Sequence, residues 1–139
     1  MKYNYTPSKN PRVIIIQKVY GKLINNDQKL IFEKHRFKKF IKDVSLGTIE
    51  RLEIIDEEVK NIENKFNLKN IDNIFKIIIQ CATFELLYKP NLSKKIIIKE
   101  YLNVSNFFLS NQQTKYLNAI LDSLAKILSK WTKLKLLIT

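Results

Sequence analysis

The chain has 139 residues, a formal net charge of +12 and 45% hydrophobic residues. It is long enough to close one core and too apolar for a disordered polycation. Two glycines, three prolines and one cysteine argue against a many-stranded sheet and exclude an internal disulfide, which fits a reducing cytoplasm. No run reaches the ~18 apolar residues of a membrane span, and the polar start Met1-Lys2-Tyr3-Asn4-Tyr5 does not read as a signal peptide.

Residues 1–10 read as a flexible basic arm, with Pro7 and Pro11 bracketing a polar stretch, and residues 11–139 as a single domain. The first helix is expected from Pro11, a residue suited to the first turn, to Asn25. Val13, Ile16, Tyr20, Leu23 and Ile24 supply its stripe, which continues too far for the buried strand that Val13–Ile16 alone would allow. Asn25-Asn26-Asp27 signals a turn. A second helix is expected over about 28–44, with Leu30, Phe37, Ile41 and Val44 in line and Glu33 and Lys34 interrupting it. A third is expected over about 48–66. Its seam of Ile49, Leu52, Ile55 (or Ile54), Val59, Ile62 and Phe66 suits packing on one neighbour.

The fourth helix, about 71–88, is apolar around almost its whole circumference and belongs in the middle of a bundle. Its polar exceptions are Lys76, Gln80, Thr83 and Glu85. Pro90 ends that segment. Ser93 is the expected N-cap of a fifth helix running to about Leu109. Ser110 or Asn111 caps a sixth, whose stripe is Leu117, Ile120, Leu121, Leu124 and Leu128. Past Ser129, Trp131, Leu134, Leu136 and Leu137 suggest one more short helix. The fold class is therefore all-α, a compact bundle of six to seven helices.

The sequence carries little catalytic chemistry. Gly21 and Gly47 stand alone, so there is no phosphate-binding glycine loop. One histidine and one cysteine are too few for a zinc site. His35 in a lysine-rich stretch reads as a solvated residue, and Cys81 on the most apolar helix as a small core residue. The chain is expected to be no enzyme, to need no cofactor and to bind no metal. The charge points to an anionic partner, nucleic acid first, although abundant Lys, Asn and Ile also fit an A/T-rich coding sequence.

Three islands then stand out: Phe84-Glu85-Leu86-Leu87, Lys95-Ile96-Ile97-Ile98-Lys99-Glu100 and Lys115-Tyr116-Leu117-Asn118-Ala119-Ile120-Leu121-Asp122. Gln17-Lys18-Val19-Tyr20, preceded by Arg12, adds a fourth. Their order and spacing resemble the bacterial transcription antitermination factor NusB family. Residues 26–70 match only in helical character. Gln80 stands where a basic residue is common, Ala119 replaces the usual glycine, and lysine replaces arginine in the N-terminal segment.

The resemblance implies two packed helical subdomains and a protein that binds boxA-type single-stranded RNA of ribosomal RNA leaders. Ribosomal protein NusE would be its companion, within the RNA polymerase antitermination complex. It implies RNA contacts at Lys2, Lys9, Arg12, Lys115, Tyr116 and Asn118, and a partner-protein face at Tyr20 and Glu85. For Asn118, which interrupts an apolar stripe, tying a neighbouring loop is the alternative to RNA contact. Two other readings remain open. One is a stand-alone helical interaction module related to the NusB-like domain of ribosomal RNA cytosine methyltransferases, without catalysis. The other is a purely structural helical module.

Overall fold

A computed structural model of the chain describes residues 7–69 and 71–138, with side chains over 8–69 and 71–130. Six α-helices follow a short 3-10 turn at Pro7–Lys9: α1 (Pro11–Ile24), α2 (Lys38–Glu50), α3 (Leu52–Lys65), α4 (Asn73–Tyr88), α5 (Lys94–Ser105) and α6 (Asn111–Ile138). No strand occurs among the described residues.

Local chemistry sets most of the boundaries. Asn10 Oδ1 accepts from the backbone N–H of Arg12 (2.9 Å) and Val13 (3.3 Å), with Pro11 in the first turn of α1. Asp72 and Ser93 cap α4 and α5 in the same way, accepting from Phe75 and Ile96. Ser110 and Gln113 form a reciprocal capping box at the start of α6. At the end of α3, Asn67 takes a positive φ of 52°. The N–H of Leu68 then reaches the carbonyl of Glu63 at 2.8 Å, a Schellman closure.

The helix that is apolar on nearly every side is the hub. α4 packs against all five other helices and is buried continuously from Ile77 to Leu86. Val13, Ile16 and Val19 of α1, Val44 of α2, Ile55, Val59 and Ile62 of α3, Ile97 and Val104 of α5, and Leu117, Leu121 and Leu124 of α6 close one core around it. α5 and α6 run antiparallel: Lys94 bonds Ser129 at one end and Ser105 meets Thr114 at the other.

Four boundaries differ from expectation, one of them the end of α5 at Ser105, four residues short of Leu109. Residues 28–37, expected to open the second helix, are non-helical except for a turn at 36–37. Phe32 packs that segment against the core, Lys18 pairs with Glu33 at 3.3 Å and Lys22 bonds the Gln28 carbonyl; periodicity alone did not register this. Thr48–Glu50 belong to α2 rather than α3, because the chain breaks at Arg51. The expected final short helix is instead a continuation of α6; the side chains of Trp131, Leu134, Leu136 and Leu137 lie outside the described set.

Candidate nucleic-acid interface

Arg12 and Glu85 meet in the interior, 73 residues apart in sequence. The guanidinium donates from Nη2 to Glu85 Oε1 at 2.6 Å and from Nε to Oε2 at 3.0 Å, a two-point clamp. The Tyr101 hydroxyl, also buried, donates to Glu85 Oε2. The Arg12 side chain is 11% exposed and that of Glu85 is 0%. Phe40 lies against one side of the guanidinium (5.0 Å to the ring centroid) and Tyr101 against another (5.5 Å). The cluster therefore joins α1, α2, α4 and α5.

Burial works against the Arg12 charge, but Glu85, with Tyr101 and Glu100 adding to it, holds the guanidinium pKa above its ordinary value. Burial, then the Glu85 charge, pushes the Tyr101 phenol well above its ordinary range. Burial likewise pushes up the Cys81 thiol, so Cys81 is a core residue and a poor nucleophile.

The structure places two of the expected site residues inside the fold. Glu85 is interior and presents no surface to a partner protein, because both its oxygens are consumed within the fold. Arg12 is likewise engaged by Glu85 rather than free for a phosphate. Gln80 is also buried; its Nε2 donates to Asp56 Oδ1 at 2.7 Å and links α4 to α3. Tyr101 was not singled out in the sequence. A carboxylate inside a helix as apolar as α4 demands a buried cation and further donors, and that demand was the available signal.

The other candidates are at the surface. Tyr20 is 37% exposed on α1. Lys9 is exposed, and its carbonyl is 2.7 Å from His35 Nε2. Because His35 Nδ1 accepts from the Phe37 N–H at 2.9 Å, Nε2 carries the proton and donates to Lys9. Lys115, Tyr116 and Asn118 are exposed in the first two turns of α6. Asn118 is thus not the buried tie that its place in an apolar stripe suggested. Tyr116 is 41% exposed and is held in place. Its hydroxyl donates to the Phe66 carbonyl at 3.0 Å, and its ring stands edge-on to Phe66. Together with Gln112, Gln113, Lys115 and Ala119, the ring lines a shallow hollow. Lys2 lies outside the described residues.

The two groups do not converge on one cavity. Arg12 lines a groove with Ile96 and Glu100, in the first half of α5, whereas Tyr116 follows Thr114, which meets Ser105 at the end of α5. Along α5, Ile96 and Ser105 are separated by nine residues, roughly 13 Å.

Comparison with known proteins bears on the same scaffold. The sequence profile of the NusB family matches residues 8–126. Proteins called transcription antitermination protein NusB are similar to this chain. The one from Borreliella burgdorferi is 28% identical over 83% of this chain and 91% of its own length. That of Aliarcobacter butzleri is 33% identical over 69% and 76%. That of Thermodesulfovibrio yellowstonii is 28% identical over 64% and 59%. The chain thus spans about three fifths of the latter relative's length. The solved structure of Thermotoga maritima NusB shares the fold, with a TM-score of 0.72, 21% identity, and 87% of this chain and 92% of that one covered.

Proposed function

Because the chain belongs to the NusB family, we propose that it is a transcription antitermination factor. In this reading it binds boxA-type RNA of ribosomal RNA leaders together with ribosomal protein NusE, as part of the RNA polymerase antitermination complex in the cytoplasm. One observation carries the reading: the family profile runs over residues 8–126, and so includes both exposed Lys9 before α1 and the exposed opening of α6.

The chemistry supports it. Single-stranded RNA is held by cations on its phosphates and by flat side chains against unstacked bases. Tyr116 offers such a ring with its hydroxyl already tethered, so little rotamer freedom is lost on stacking. Lys115 and Lys9 supply charge, and Asn118 supplies an exposed amide for a base edge. Lys2 extends the basic segment. Arg12 contributes indirectly, by fixing the first turn of α1 to α4 so that Lys9 is presented from a rigid base. Tyr20 is the exposed ring left for the protein partner. Nothing in the proposed mechanism makes or breaks a covalent bond.

Titration of a labelled boxA-like strand, with and without NusE, tests the reading. It predicts weak binding alone and tighter binding with NusE, with log affinity falling by about 0.7 per phosphate contact for each unit of log salt. A scrambled strand bound equally well in both conditions would contradict it.

A further inference from the structure

The non-helical segment 28–37 builds a second basic feature, outside the islands that resemble the family. With the turn at Pro7–Lys9, α1 and the start of α2, it encloses a cleft of about 570 Å³, within the ~300–1,000 Å³ typical of ligand clefts. Lys9, Lys18, Lys34, Arg36 and Lys38 line it, against the single carboxylate of Glu33. That carboxylate is already paired with Lys18 at 3.3 Å. His35 fastens the segment to Lys9 through the Nε2 bond, and cations from the turn, α1, the segment itself and α2 surround one hollow. The aliphatic and ammonium end of Lys18 lies over the Phe32 ring (5.8 Å), and the Arg36 guanidinium lies over Phe37 (5.5 Å).

We propose that this cleft is a subsite for the phosphodiester backbone of single-stranded RNA, reached by a strand that passes Lys9. The proposal rests on the RNA-binding reading above and extends it. An RNA strand fits better than an acidic protein segment because the cations stand beside an exposed ring, Phe37 under Arg36, that can face an unstacked base. Contacts of this kind carry no sequence information; they position the strand and add affinity. The subsite therefore binds a boxA-like strand and a scrambled strand with equal contributions.

The test compares two triple variants of the full chain. Lys34→Ala/Arg36→Ala/Lys38→Ala removes three charges from the cleft. Lys39→Ala/Lys42→Ala/Lys60→Ala removes three exposed lysines that do not line it. Thermal melts establish that both fold. Binding of a boxA-like and a scrambled 12-nucleotide RNA is then measured from low to moderate salt. The cleft variant is expected to lose about 2 units of salt slope for both strands, from three contacts at about 0.7 each, while the control keeps its slope. Preference for the boxA-like strand is unchanged by either. Equal slopes for the two variants overturn the proposal, as does an unmutated chain that binds neither RNA. Loss of binding to polyglutamate with RNA slopes unchanged overturns it in favour of an acidic protein. Failure to prefer the boxA-like strand, with the slope difference intact, counts against boxA recognition alone.

Discussion

Removing Glu85 tests how the chain holds its helices together. Glu85 accepts two hydrogen bonds from Arg12 and one from Tyr101. In Glu85→Ala the guanidinium, 11% exposed at its side chain, keeps its charge but loses its counterion, and the buried phenol loses its acceptor. Breaking a buried pair by deleting one member costs about 3–5 kcal/mol. The residual exposure of Arg12 places this case near the lower end, about 3 kcal/mol. At about 3 °C per kcal/mol for a domain of this size, Tm should fall by roughly 10 °C. Denaturant unfolding followed by far-UV circular dichroism should show a lower midpoint with the slope preserved. The triple variant Arg12→Met/Glu85→Leu/Tyr101→Phe removes the charges and the orphaned hydroxyl together, and should recover most of the loss. A loss below about 1 kcal/mol in Glu85→Ala would refute the reasoning, since it would mean that Arg12 reaches water without strain.

Alkaline pH should weaken the fold in a defined order. The Tyr101 phenol is raised on folding, so its protonated form is favoured in the folded state; stability is intact below the unfolded tyrosine pKa of about 10 and falls as pH rises past it. Tyr101→Phe should flatten that part of the curve in pH-dependent unfolding. The raised Cys81 thiol gives the same sign from about pH 8.5 upward, and a thiol reagent should label Cys81 at a rate that tracks unfolding. Gly47→Ala should destabilise by about 1–3 kcal/mol, because an added Cβ would overlap the Phe84 ring where α2 crosses α4; the measure is again the denaturant midpoint. In the RNA titration, Tyr116→Ala should weaken binding by about 1–3 kcal/mol per stacked base, while Tyr116→Phe, which loses only the tether to Phe66, should weaken it less.

The legible parts of the fold were those written in local pattern. The all-round apolar character of α4 announced a hub, and Ser93, Ser110 and Pro11 marked helix starts by capping chemistry that needs only a few neighbouring residues. What was not legible depended on contacts between distant segments. The spacing of Leu30, Phe37, Ile41 and Val44 mimicked one helix, yet Phe32 and the Lys18–Glu33 pair hold the first ten residues of it as a loop. Arg12 and Glu85 were both noticed, but their pairing across the bundle, which places Glu85 in the interior, was not. Asn118 erred the other way: its stripe suggested burial, and the α6 register leaves it exposed. Residue identity showed which groups carry chemistry, while tertiary packing decided which of them face outward.

Transcription through a terminator placed downstream of a boxA-bearing leader, with RNA polymerase and NusE present, tests the proposed function most directly. Adding the chain should raise read-through on that template and not on one with a scrambled boxA. Equal read-through on the two templates, with the chain folded and NusE bound, would contradict the account.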